Sequence, residues 1–438
     1  MPKLLIVSPH FPPVNAPDMQ RARMSLPHFV KAGWEVTVLT VDDPTPVAPL
    51  EPALLSTIPS VVRVVRAKVI SRRWSGKLGV NNLGWRSILS IHSTARRLLR
   101  RERFDLVYFS TTQFNVLPLG RVWQREFGVP YVIDLQDPWI SDFYERTGHA
   151  PPGGWKYRFA QAFAKTLEGW TLERCAHVIS VSPAYLEALR KRYPWFTSER
   201  GTVLTFGAPD EDFAIARKQA AHGARLLPDR GTLKIAYAGR LGTDMEAALH
   251  VLFAAAAHAR KQGVKVELFF FGTSYAQTGK RRTLTQPIAA AHDLTEVVHE
   301  HPSRIGYLDS LRLLLETDIA LLLGSDDPAY SPSKTCPTLL AQRPTLAVMP
   351  AGSVLEKLLR ELGGAFAVPF AAKDDESAIA CIADALVRFS TTRVWTPSKP
   401  ADWTMLQTRY SARATGNAQL ALFQRVIASG KNNVGDSV

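Results

Sequence analysis

Apolar positions in this chain fall into short unbroken runs, separated by longer stretches in which they recur every three or four residues. Lys3–Ser8, Glu35–Thr40, Leu106–Ser110, Tyr131–Leu135 and His177–Val181 are runs of the first kind. Because they are apolar throughout rather than at alternate positions, they predict strands buried on both faces, as in a parallel sheet covered by helices. Between them, Met19–Ala32, Ile88–Arg103, Val116–Phe127, Trp155–Cys175 and Pro183–Arg192 have helical spacing. Helix punctuation agrees with these boundaries. Gly33 and Gly128 follow helices where a left-handed residue ends them, and Ser182 with Pro183 supplies an N-cap and a first-turn proline.

The pattern weakens between Gly207 and Gly231 and then restarts. Leu233–Ala238, Lys265–Phe271, Ile319–Leu323 and Thr345–Val348 read as strands. Met245–Gln262, Leu308–Glu316, Cys336–Ala341, Ser353–Leu362 and Glu376–Phe389 read as helices, and Ala401–Ile427 as a further helical region. The predicted organisation is a first α/β domain over 1–210, a linker over 211–231 and a second α/β domain over 232–400. A helical region over 401–430 is expected to pack back toward the first domain. In doubly wound sheets ligands bind beyond the carboxyl ends of the strands. The loops 9–18, 110–115, 136–144, 239–244, 272–275 and 324–334 are therefore where chemistry is sought.

Length and composition fit this picture: 438 residues, 46% hydrophobic and 21% charged, suit a folded protein of more than one domain. No apolar run reaches the roughly 20 residues that span a bilayer, and the N-terminal run is too short for a signal-peptide core. A cytoplasmic protein is expected. Cys175, Cys336 and Cys381 are widely spaced; they read as isolated buried thiols, with no metal site. The net charge of +14 changes the picture more, because it is concentrated. Between Val61 and Arg103 there are twelve Lys and Arg residues against Glu102 alone, a net +11. Arg72, Arg73, Arg96 and Arg97 lie there with Trp74 and Trp85. Basic residues mixed with tryptophan suit an anionic membrane surface; the alternative is a solvated helix face. No nucleic-acid-binding motif accompanies the charge.

Several segments, in order, carry a resemblance. They are Leu4-Leu5-Ile6-Val7-Ser8-Pro9-His10-Phe11-Pro12-Pro13, Gly33-Trp34-Glu35-Val36-Thr37-Val38-Leu39-Thr40 and Pro130 through Asp137-Pro138-Trp139. Ala176-His177-Val178-Ile179-Ser180-Val181-Ser182, Ala236-Tyr237-Ala238-Gly239-Arg240-Leu241, and Ser331-Pro332-Ser333-Lys334 running to Arg343-Pro344 complete the set. Together they resemble family 4-type glycosyltransferases over nearly the whole chain. The resemblance implies a GT-B fold, two Rossmann-like domains facing a central cleft, with a nucleotide-sugar donor at the second and an acceptor at the first. It also implies retention of anomeric configuration without a metal or other cofactor.

On that basis Gly239, Arg240, Gly272, Ser331, Ser333, Lys334 and Thr335 are expected to contact the donor. Arg240 and Lys334 would stabilise negative charge on the leaving diphosphate. Asn15, Arg21 and Thr111 are expected on the acceptor side. Arg21 could also face solvent. Asp137, beyond a strand, is the carboxylate expected to orient or deprotonate the acceptor, or else to form its turn; His10 and His149 are weaker candidates, and Asp134 reads as structural.

The chain departs from the family at several places. Met245 stands where a second cation is usual, and Ala329 and Pro337 where two glutamates are, with Asp326 and Asp327 close to the first. The loop Val14-Asn15-Ala16-Pro17-Asp18 lacks glycine, and Ser110-Thr111-Thr112 lacks the histidine many relatives carry. The expected function is transfer of a sugar from a nucleotide donor to a polysaccharide or lipid-linked acceptor, peripherally at the inner face of the cell membrane. A non-catalytic partner in glycan assembly and a nucleotide-sugar epimerase are the alternatives.

Overall fold

The computed structural model describes residues 1–78, 81–140, 154–274, 283–327 and 333–435. The chain divides into two units, one formed by Met1–Gly207 together with the segment from Ala412 on, the other by Ala208–Ser411.

The first unit is built on seven parallel strands: β1 (Lys3–Val7), β2 (Glu35–Asp42), β3 (Arg63–Lys68), β4 (Leu106–Ser110), β5 (Tyr131–Leu135), β6 (His177–Ser180) and β7 (Gly201–Val203), in the order β3-β2-β1-β4-β5-β6-β7. All five residues of β4 and of β5 are buried, Ser110 and Asp134 included, as expected of strands covered on both faces. Among the described residues up to 207 its helices are α1 (Gln20–Lys31), α2 (Arg72–Ser75), α3 (Leu83–Arg101), α4 (Leu119–Phe127), α5 (Gly154–Glu173) and α6 (Pro183–Arg192). Gly128 closes α4 in the left-handed region at φ 71°, and Ser182 caps α6 by accepting from Ala184 N. Helix α3 begins at Leu83, earlier than its apolar period indicated, because the Asn82 side chain accepts from Trp85 N.

The second unit has six parallel strands: β8 (Leu233–Ala238), β9 (Val266–Phe271), β10 (Val298–His301), β11 (Ile319–Leu323), β12 (Thr345–Pro350) and β13 (Phe366–Phe370), ordered β10-β9-β8-β11-β12-β13. Its helices are α7 (Asp210–His222), α8 (Glu246–Lys261), α9 (Thr285–Ala290), α10 (Tyr307–Glu316), α11 (Thr335–Leu340), α12 (Val354–Leu362), α13 (Glu376–Thr392) and α14 (Trp403–Arg409). Helices α8 and α13 pack together on one face of the sheet, sharing a core that includes Leu252, Phe253, Ile382 and Leu386.

The last helix, α15 (Ala412–Gly435), belongs to the first unit and packs on α1. Its Phe423 ring meets Phe29, Trp34 and Tyr108 at centroid distances of 5.8, 6.1 and 5.0 Å. Gln419 Oε1 accepts from Ser25 Oγ at 2.6 Å, and its Nε2 donates to Tyr108 OH at 2.8 Å.

Two expectations are corrected here. The 211–231 stretch contains most of helix α7, which packs on α10 and donates no free linker; Asp212 is buried there and accepts from Tyr307 OH at 2.8 Å. Its mixed charges hid the helix from the apolar period. Of the cysteines, Cys175 and Cys336 are buried but Cys381 is exposed, being on the outer face of α13.

Candidate functional site

Each sheet has one topological switch point, where the chain leaves neighbouring strands toward opposite edges and the loops part. In the first unit it lies between β1 and β4. Asp18, buried in the helical turn Pro17–Met19 after β1, occupies it. Asp18 Oδ1 meets His10 Nδ1 at 2.9 Å. Its Oδ2 accepts from Thr111 Oγ1 at 3.0 Å and from Thr112 N and Oγ1 at 3.2 Å. Burial favours the neutral acid, but the contacts from His10, Thr112 and Thr111 outweigh it and hold the carboxyl below its usual range. An ionised carboxylate only accepts, so Nδ1 carries a proton, and in the neutral ring Nε2 is then the acceptor nitrogen.

A second, deeper layer fixes this dyad. Asp134 Oδ2 lies 2.9 Å from Arg21 Nε, with both side chains at most 1% exposed. The same oxygen accepts from Gln136 Nε2 at 2.9 Å, Ser110 Oγ at 3.1 Å and Tyr108 OH at 3.3 Å. Gln136 Nε2 also donates to Asp18 O at 2.9 Å, so the buried ion pair is linked through Gln136 to the residue that orients His10. Arg21 further donates to Leu204 O at 2.8 Å and Thr205 O at 3.2 Å.

These contacts revise the acceptor-side expectations. Arg21 is buried in an ion pair, Thr111 is buried against Asp18, and Asn15 is buried with its Nδ2 donating to Glu51 Oε2 at 2.8 Å. Asn15 and Thr111 brace their own loops, Arg21 reaches from α1 to the carbonyls of Leu204 and Thr205, and none of the three offers its polar group at the surface. Asp137, at the end of β5, is exposed, yet surrounding protein and the negative charge of Asp18 raise its carboxyl above the usual range. His149 lies outside the described residues. A single histidine in a Pro-rich loop is a weak signal by itself; Asp18, eight residues on and followed by a helix, is the sequence feature that pairs with it.

In the second unit the switch point lies between β8 and β11. Gly239 and Arg240 leave β8 there, and Arg240 forms a bidentate pair with Asp244, Nη1–Oδ1 at 2.9 Å and Nη2–Oδ2 at 2.8 Å. A Cβ at Gly242 would come within 2.1 Å of Arg240 Nη1 and Asp244 Oδ1, so glycine lets the pair close over the loop. Ser325 Oγ, from the loop after β11, donates to Asp244 Oδ2 at 2.6 Å, and Asp326 N donates to Asp244 O at 3.0 Å. Partial burial would raise the Asp244 carboxyl, but Arg240 and Ser325 hold it low. Arg240 is thus a positioned arginine with a carboxylate already on it.

The other donor-side residues divide. Gly272 sits at φ +70° after β9, and the adjoining Thr273 Oγ1 donates to Glu300 Oε1 at 2.5 Å. Ser333 and Lys334 are exposed ahead of α11, whereas the Thr335 side chain is fully buried, which leaves its backbone as the part that could meet a ligand. Met245 is a core residue, and Pro337 lies inside α11. Ser331 and Ala329 lie outside the described residues. Among the described residues, no cluster of three or more His, Cys, Asp or Glu side chains could hold a metal ion.

Residues 20–207 match the Glycosyl transferase 4-like domain family. Across solved structures the likeness runs the full length of the chain. Sucrose-phosphate synthase from Thermosynechococcus elongatus is 16% identical with a TM-score of 0.58, covering 98% of this chain and 100% of its own. A glycosyltransferase from Rickettsia africae is 10% identical with a TM-score of 0.55, covering 97% and 98%. The Anabaena protein HepE, solved with UDP-glucose, is 13% identical with a TM-score of 0.54, covering 98% and 99%. No curated protein matches by sequence.

The family match is confined to residues 20–207, and the chain as a whole has the GT-B fold.

Within the glycosyl transferase 4-like domain, the basic segment is less uniformly charged than its sequence indicated. Arg63, Arg66 and Lys68 are strand residues of β3, and Arg63 pairs with Glu102. Arg86 is fully buried, bidentate on Asp43 at 3.0 and 3.1 Å. Arg96 and Arg100 share Glu126, which neutralises part of their charge locally. Arg73, Trp74, Trp85 and Leu89 remain exposed, Trp74 by 68% and Leu89 by 73%. Among the described residues, no helix is long and apolar enough to cross a membrane.

Proposed function

We propose that the chain is a retaining glycosyltransferase that moves a sugar from a nucleotide-sugar donor to a polysaccharide or lipid-linked acceptor. The observation that carries this reading is the Asp18–His10 dyad at the switch point of the first sheet, just ahead of residues 20–207, which match a glycosyl transferase 4-like domain. In this reading His10 Nε2 receives the hydrogen bond of the acceptor hydroxyl and takes its proton as the new glycosidic bond forms. Asp18 keeps the ring in the accepting tautomer, and His10 replaces Asp137 as the residue assigned to that hydroxyl. The bond between the sugar and the diphosphate breaks with its electron pair going to the phosphate oxygen. Arg240, held by Asp244, and exposed Lys334 are assigned to that developing charge. Retention follows the family resemblance.

The exposed Trp74, Trp85 and Leu89 with Arg73 and Arg97 support docking on an anionic membrane at its inner face. Vesicles of phosphatidylglycerol should sediment the protein and release it in salt. Replacing Arg73 and Arg97 by Glu together with Trp74 by Ser should abolish this, and unchanged sedimentation would assign the face to solvent.

A second reading, a non-catalytic GT-B partner protein, is favoured by Asp244 on Arg240 and by buried Met245. The two separate on turnover. Purified protein is incubated with a panel of nucleotide sugars, beginning with UDP-glucose because HepE was solved with it, and release of nucleoside diphosphate is followed with acceptor glycans present. Sustained release excludes the second reading; its absence across the panel excludes the first.

A further inference from the structure

Beside His10 the first unit contains a pocket of about 250 Å³, lined in part by Asp43, Arg72, Asn82 and Gln113. This is near the low end of the roughly 300–1,000 Å³ usual for small-molecule sites, enough for a compact head group rather than a glycan chain. Its polar side chains are unevenly committed. Asn82 Oδ1 already accepts from Trp85 N at 3.3 Å and Asn115 Nδ2 at 3.1 Å. Gln113 Oε1 accepts from Gly84 N at 3.1 Å. With both carbonyl oxygens used, what these amides have left to offer is NH2. The lining carboxylate, Asp43, is spoken for as well, by the bidentate Arg86. Arg72 brings a guanidinium whose Nε is buried with no hydrogen-bond partner among the described residues. A lining rich in donors, with one cation beyond those its carboxylates neutralise, fits an anion with several acceptor oxygens.

We infer that this pocket holds a phosphate group of the acceptor, gripped by Arg72, Asn82 and Gln113, so that a hydroxyl of the same molecule lies at His10. This rests on the transferase reading above. The helices that wall the pocket also carry the exposed aromatic surface: α2 bears Arg72 and Trp74, and α3, capped by Asn82, bears Trp85 and Leu89. A phosphate on a lipid and a phosphate on a soluble sugar both meet the pocket's chemistry.

The test titrates full-length protein with inorganic phosphate and follows the His10 ring nitrogens by NMR, assigned from their loss in His10→Gln. Saturable shifts are expected. Arg72→Gln should weaken them about tenfold to a hundredfold, the range for a hydrogen bond to a charged group; Arg72→Lys should recover part, and Arg190→Gln, an exposed arginine of α6 off the pocket, should change nothing. Absence of saturable shifts, or equal weakening by Arg72→Gln and Arg190→Gln, would overturn the assignment. Glycerol 3-phosphate and vesicles containing phosphatidic acid then compete with inorganic phosphate. Displacement by the first alone places the phosphate on a soluble acceptor, by the second alone on a lipid; displacement by neither overturns the inference. Calorimetry with UDP on the same sample separates the two claims. Phosphate at His10 without nucleotide binding refutes the donor reading alone, and nucleotide binding without phosphate at His10 refutes this inference alone.

Discussion

Replacing Arg21 by Met should unfold the first unit well before it touches any ligand contact. Arg21 and Asp134 are at most 1% exposed and 2.9 Å apart. Arg21 also satisfies the carbonyls of Leu204 and Thr205. Methionine of similar length fills the space but leaves the Asp134 carboxylate buried without its cation. Breaking one side of a buried pair costs about 3–5 kcal/mol. For a unit of this size each kcal/mol lowers the melting temperature by roughly 2–4 °C, so the loss should be on the order of 10 °C. Thermal melting followed by circular dichroism reads it directly. Arg21→Met/Asp134→Asn should regain more than half, because asparagine removes the stranded charge while its oxygen still accepts from Gln136, Ser110 and Tyr108. A melting change in Arg21→Met within about 2 °C, or a double variant no better than the single, would refute the buried-pair account and return Arg21 to the ligand side.

Three further outcomes follow from the same contacts. Asp244→Asn removes the negative charge beside Arg240 but keeps hydrogen bonding, so affinity for a nucleoside diphosphate should rise about fivefold, near 1 kcal/mol of relieved repulsion; calorimetry showing weaker binding would mean that Asp244 is needed as a carboxylate. His10→Gln should lower kcat by about 10²–10⁴, the usual contribution of a positioned acid or base, with Asp18→Asn changing kcat in the same direction by less and leaving donor affinity intact. Partial burial and the charges of Arg425 and Arg200 lower His177 to a pKa of about 4. A histidine depressed in the folded state contributes stability that is present above its unfolded value of about 6.5 and is lost as pH falls toward 4; His177→Gln should flatten denaturant midpoints over that window, and an unchanged slope would remove His177 as the cause.

The strands legible in sequence were those with neighbours on both sides. The four that went unread are β3, β7, β10 and β13, and these are the four edges of the two sheets. Edge strands are paired on one side and only partly covered, so polar residues are tolerated and the apolar run breaks: Arg63-Val-Val-Arg-Ala-Lys in β3 and Val298-His-Glu-His in β10. The site was legible as loops rather than as roles. Arg21 and Arg240 were recognised as cations near the strand ends, but sequence spacing could not show that Asp134 and Asp244 would already hold them. His10 needed its partner to be placed in space, because the Asp18 side chain turns back onto it only once Thr111 and Thr112, about ninety residues later, close the crevice.

The most direct test of the transferase account is turnover itself, measured with UDP-glucose and the other nucleotide sugars against a phosphate-bearing acceptor, with product configuration read by NMR. The account predicts a glycosidic product that keeps the donor's anomeric configuration, formed by the unmodified chain and lost in His10→Gln. Release of no nucleoside diphosphate from any donor, or a product of inverted configuration, would contradict it.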